Sequence, residues 1–236
     1  MPGYTRRQLK EDKFAETAQG AARWATGHRQ TVVWTVGIVL AATLVIVGVM
    51  AWHSRLSEQG NTELAAAMRT FEAQLTAPGT PAGDTGPTFT SIADRAKAAG
   101  KQFKAVADKY SAVAPGKIAR YLSGISLIQA GDKAGAEQEL KTAANLGDKD
   151  VAALAKMALA TMYRGSNRAP EAIAIYKGLS EHPTATVSKA QAQLELAEMY
   201  ETTDPEQAAL IYKQLQKEDP RGPAGQVAAQ KLSKSK

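Results

Sequence analysis

Residues 159–179, LATMYRGSNRAPEAIAIYKGL, return in altered form as residues 196–215, LAEMYETTDPEQAALIYKQL. Tyr176 and Tyr212 are 36 positions apart, as are Leu179 and Leu215, while Ala160 and Ala197 are 37 apart. An earlier copy, YLSGISLIQAGDKAGAEQELKTA at 121–143, sets Gly124 and Ala136 each 36 residues ahead of Ala160 and Ala172. A period of this length, with two helical stretches in each unit, constrains the chain to a helical solenoid. One helix pair cannot bury its apolar face alone, so each must stack on the next.

The residues at the repeated positions explain the spacing. Gly124, Ala160 and Ala197 are small, which lets the first helix of each unit approach its neighbours closely. Ala136, Ala172 and Ala208 do the same on the second helix, and Leu140, Tyr176 and Tyr212 fill the seams. The turns AGDKAG, RGSNRAP and TTDPEQ are polar and break the apolar period. The expected fold class is therefore all-α: an α-solenoid of antiparallel helix pairs over 117–220, with a polar capping helix and tail at 221–236. The composition agrees, with aromatic residues at only 6% in an Ala-rich chain, a balance that suits close-packed helices.

These residues resemble the tetratricopeptide repeat. The likeness lies in the small residue on helix A (Gly124, Ala160, Ala197), the aromatic three positions on (Tyr163, Tyr200), and the Ala–aromatic pairs on helix B (Ala172/Tyr176 and Ala208/Tyr212). The first copy departs from the pattern, with Leu127 and Leu140 where aromatics would stand, and no copy has a Trp at the start of helix A. By the geometry usual in that family, one face of each helix A lines a concave surface. Here the resemblance puts Tyr121, Ile125, Met157, Arg164, Leu194 and Glu198 on a partner-binding groove. The apolar residues of the first copy, Ile118, Ile125 and Ile128, are equally well read as packed beneath the preceding helices.

A second feature sets topology. Residues 31–52, TVVWTVGIVLAATLVIVGVMAW, carry no charge and have Trp34 and Trp52 near the two ends. As a helix the run would cover the ~30 Å hydrocarbon core of a bilayer, with indole rings at both interfaces. Arg6, Arg7, Lys10, Lys13, Arg23 and Arg29 precede it, whereas only Arg55 and Arg69 follow closely. The positive-inside rule keeps the leader at 1–30 cytoplasmic and exports everything after Trp52. A cleaved signal peptide ending near Ala51 is the rival reading, but its apolar core would be shorter. The leader itself reads equally as an amphipathic helix on the lipid surface or as a disordered tail.

Between the span and the repeats, 53–116 reads as helical. One face of 55–75 carries Leu64, Met68, Phe71 and Leu75, and after a second helix over 94–110 Pro115 and Gly116 end the unit. The Pro/Gly-rich stretch 76–88 separates the two as a loop. The overall order of basic leader, one span, two helices and repeats is similar to the bacterial inner-membrane family of ancillary Sec-translocon subunits with a periplasmic tetratricopeptide-like domain. That resemblance implies protein partners: the translocon, periplasmic chaperones or newly exported chains.

Other classes find little support. With no Cys, thiolate zinc sites, disulfides and thiol catalysis are excluded. His28, His53 and His182 lie far apart, without metal-ligand spacing. The pairs Glu137/Glu139 and Glu195/Glu198 read as solvated helix faces rather than acid–base dyads, since a catalytic carboxylate needs a pocket that raises its pKa. The formal charge of +6 is shared between the leader and the remainder, with no basic stripe for nucleic acid. No enzyme, metal or cofactor is expected. The alternatives to a Sec-linked adaptor are an envelope-assembly or cell-division scaffold and, further off, a ligand receptor or enzyme.

Overall fold

A computed structural model describes residues 27–76 and 87–234. Residues 1–26 of the leader, 77–86 of the loop and the last two residues fall outside it. The chain divides into two units, Met1–Arg55 and Leu56–Lys236. Nine helices make up the described residues: α1 Arg29–Phe71, α2 Ile92–Lys109, α3 Ala114–Gln129, α4 Lys133–Ala144, α5 Lys149–Arg164, α6 Ala169–Glu181, α7 Lys189–Thr203, α8 Pro205–Glu218 and α9 Pro223–Lys234. There is no sheet among them, only an isolated bridge between Leu75 and Phe89.

Helix α1, whose apolar run falls in the first unit, is long and apolar enough to cross a membrane. Its large side chains from Val33 to Trp52 are exposed, with no protein packed over them. The helix does not stop after the apolar run; it continues unbroken to Phe71, where the sequence had separated a span from a following helix. It ends short of Leu75, which is exposed and lies in the bridge to Phe89 instead of on a helix face. Thr76 N–H donates to the Phe89 carbonyl at 2.9 Å and Phe89 N–H to the Gln74 carbonyl at 3.3 Å, drawing the two ends of the intervening segment together.

The second unit is built from helices whose starts are written locally. Ser91, Asp132, Asp148, Ser188 and Asp204 cap α2, α4, α5, α7 and α8 by accepting from N–H groups of the first turn, which would otherwise lack partners. Pro115, Pro170 and Pro205 occupy first turns, where a missing N–H costs nothing. Pro115 therefore stands in the first turn of α3, which begins at Ala114.

Each helix from α2 onward packs on its successor, with further contacts of α3 on α5 and α7 on α9. Two apolar clusters result. In the first, Ala67 of α1, Ala99, Phe103 and Val106 of α2 and Ala119 of α3 meet, and Phe71 and Phe103 stand edge to face at 5.9 Å. The second runs from Leu140 to Ala228 through α4–α9. The repeated small residues are buried. Ala136, Ala160, Ala172 and Ala197 are fully buried, Ala208 nearly so, and Tyr176 and Tyr212 are buried in the seams. Leu140 lies over Gly124 so closely that a Cβ there would be 2.6 Å from its Cγ. Gly116 is as tight: a Cβ would collide with the Tyr110 carbonyl. Gly178 on α6 is the opposite case, with open space where a Cβ would project.

These contacts give one substitution two signs. Gly→Ala in a helix interior is intrinsically favourable by about 1 kcal/mol. Gly178→Ala should realise that gain and raise the melting temperature. Gly124→Ala should destabilise by a net of about 1–2 kcal/mol, because overpacking a filled core outweighs the propensity gain. Thermal and urea unfolding followed by circular dichroism would check both; the same sign for the two variants would show that the α3–α4 contact is looser than described.

Candidate protein-binding face

The residues assigned to a partner-binding groove lie on α3, α5 and α7, the first helices of the three pairs. Within each helix they recur at intervals of four or seven (Tyr121 and Ile125, Met157 and Arg164, Leu194 and Glu198), which places each set on one helical face. Tyr121, Met157 and Leu194 are half-buried and pack against the edge of the second cluster, leaving part of each side chain accessible. Burial pushes the Tyr121 phenol above its usual range, so it remains a neutral donor at physiological pH. Ile125 is also half-buried, Ile128 packs onto the second cluster, and Ile118 is exposed at 39%.

Polar contacts join the later part of this face. Arg164 Nη1 lies 2.8 Å from Glu195 Oε2 and 3.3 Å from Glu198 Oε2, linking α5 to α7 across the seam. Arg164 and Glu198 are therefore brought together as one ion cluster, with Glu195 as a partner that sequence reasoning did not place on the face. All three are partly accessible, so the cluster is screened and weak as a stability element. Two carboxylates on one guanidinium leave an excess of negative charge beside the apolar part of the face.

Elsewhere, a three-part unit recurs at the helix joints. Tyr163 donates to Glu137 Oε1 at 2.8 Å, while Arg168 and Lys141 reach the same carboxylate at 2.9 and 2.7 Å. The Arg168 guanidinium also stands 3.9 Å over the Tyr163 ring. Tyr110 and Lys109 converge on Glu63 in the same way, and Tyr212 and Lys231 on Glu201. Lys141, then Tyr163 and Arg168, hold the Glu137 carboxyl down at about 2, against some desolvation.

Glu139 corrects an expectation. It reads as solvated, but is only 7% exposed. Arg120 meets it at 2.8 Å and Lys104 at 3.0 Å, and Asp108 completes the cluster by pairing with both cations. Glu137 and Glu139, two positions apart, serve different partners and do not converge as a dyad. Among the described residues no group of His, Asp and Glu is arranged to hold a metal ion.

The model of the tetratricopeptide repeat-like domain family matches residues 23–185. The helices beyond 185 continue the same pattern of buried Ala and Tyr. No curated protein and no solved structure matches the chain.

The Glu137 joint generates a pH test. A depressed folded-state pKa stabilises above the unfolded value of about 4.5, and that contribution is lost as pH falls through about 2. Glu137→Gln should therefore lower stability at neutral pH, and its difference from the parent should shrink steadily below pH 4.5. Urea titrations across that range would check it; a difference independent of pH would mean the carboxylate charge is not what Tyr163, Lys141 and Arg168 recognise.

Proposed function

Since the chain belongs to the tetratricopeptide repeat-like domain family, we propose that it is a membrane-anchored adaptor whose exported solenoid holds other proteins on the α3–α5–α7 face. Domains of this family are protein-interaction modules, generally without catalysis. The observation that carries the anchored part is the uncovered apolar surface of α1: a contiguous stretch of exposed Val, Ile, Leu and Trp side chains is far larger than the apolar patches soluble surfaces present. The surrounding basic residues orient it with the leader in the cytoplasm and α2–α9 in the periplasm of a bacterial inner membrane.

The order of leader, span and repeats, similar to that of ancillary Sec-translocon subunits, supports the translocon, periplasmic chaperones or emerging chains as partners. Half-buried Tyr121, Met157 and Leu194 supply apolar contact, and Arg164 with Glu195 and Glu198 supplies charge that can exchange partners. Tethering raises the local concentration of the face near any membrane-embedded partner, so modest contacts suffice. A scaffold for envelope assembly would use the same face with different occupants.

Two experiments check this. The native chain has no Cys, so Lys213→Cys should react with an impermeant thiol reagent in intact spheroplasts, and Thr5→Cys only after lysis; the reverse pattern would place the repeats in the cytoplasm. A photo-reactive residue at Tyr121, Met157 or Arg164 should crosslink to translocon components or emerging chains, and one at Lys213 on α8 should give few such products. Equal crosslinking from Lys213 would sink the choice of face, while products free of translocon and exported chains would favour the scaffold reading.

A further inference from the structure

Away from that face, α4, α5 and α6 enclose an open trough of about 900 Å³. Ala152, Ala153 and Leu179 line it together with Leu146, Ile175 and Gly178, a mainly apolar and small-residue surface. The segment after α6 borders one end and is pinned there: Ala185 N–H donates to Asp150 Oδ1 at 3.0 Å and Thr186 Oγ1 to the Asp150 carbonyl at 2.9 Å.

The next seam of the solenoid shows what this trough lacks. Moving along by one repeat, 37 positions for the first helix and 36 for the second, takes Ala152 to Lys189 and His182 to Glu218. Lys189 Nζ and Glu218 Oε2 are 3.1 Å apart and bridge α7 to α8. The earlier seam holds Ala152 and His182 at those positions, so that bridge cannot form and the trough stays open. Small residues on its walls allow another helix to approach at the short end of ordinary interaxial distances.

Charge narrows the occupant. Lys149 and Lys156 stand on the α5 rim, both exposed, and outnumber Glu181, the acidic residue that lines the trough from α6. Seven residues apart on one helix, they are roughly 10 Å from each other along its axis. An acidic pair two turns apart on one face of a docked helix would match that spacing. We propose that the trough docks an amphipathic helix of a partner protein, with small apolar residues on its buried stripe and two Asp or Glu residues two turns apart facing Lys149 and Lys156. This surface lies on residues separate from Tyr121, Met157 and Arg164, so the solenoid would carry two independent docking sites.

The test uses full-length protein in nanodiscs, with empty nanodiscs as blank, and two synthetic helical peptides with an Ala/Leu stripe. One carries Glu at two flanking positions seven apart, the other Lys. Fluorescence anisotropy should show the Glu peptide binding at least about tenfold more tightly. The surface variant Lys149→Glu/Lys156→Glu should reverse that preference. Ala152→Lys/His182→Glu, which recreates the ion pair of the next seam, should lose the Glu peptide, while Tyr121→Asp should leave its affinity unchanged. Equal binding of the two peptides, an unchanged preference in the reversed variant, or displacement of the Glu peptide by laurate would overturn the proposal. The reversal variant alters only exposed side chains, so the test stands even if the closed variant does not fold.

Discussion

Everything in the solenoid depends on helix axes being able to come close at a few fixed positions. Leu140 can occupy the α3–α4 seam only because residue 124 has no side chain, and Tyr176 and Tyr212 are buried in one cluster with the small side chains of Ala160, Ala172, Ala197 and Ala208. Close packing of this kind makes the interior intolerant of even one extra methyl group. It also makes the helices interdependent, since each contributes one side of two successive seams. The repeat period is the sequence's record of that constraint.

The polar contacts follow the same logic of succession. Glu137, Glu63 and Glu201 each take a tyrosine hydroxyl and a cation from neighbouring elements. Burying a tyrosine ring in a seam leaves its hydroxyl at the seam's edge, where it needs an acceptor. A carboxylate supplies one, and a Lys or Arg balances the charge. The arrangement recurs at three joints without a shared sequence motif, because the same geometric need arises wherever an aromatic ring fills a seam. The ion cluster around buried Glu139, with Arg120, Lys104 and Asp108, joins α2, α3 and α4 by related means.

Much of the fold was legible in the linear chain. The Ala and Tyr positions at a spacing of 36 or 37 are the buried ones, and the polar turns separate helices where expected. What stayed hidden depended on side chains that meet only after folding. Glu139 sits two residues from Glu137 and looks equally solvated; only the approach of Arg120 and Lys104 from two other helices distinguishes them. Arg164 and Glu198 read as separate groove residues until α7 brings Glu198, with Glu195, to the guanidinium. Pro115 looked like a terminator because proline stops helices and starts them equally well, and the local sequence does not say which. The open trough was invisible for another reason: it arises from what is missing, an ion pair present in one repeat and absent from the one before.

The bridge between Leu75 and Phe89 has a consequence for how the protein can diversify. Two backbone hydrogen bonds hold the exit and the return of the chain side by side at the end of α1 and the start of α2. With its ends joined there, the intervening segment can change length without altering the separation of the two helices. Doubling such a connection adds only about 0.6 kcal/mol of closure entropy. The fold therefore has a natural insertion point, where a tag, an epitope or an entire extra module could be accommodated while the seams of the solenoid go unaltered.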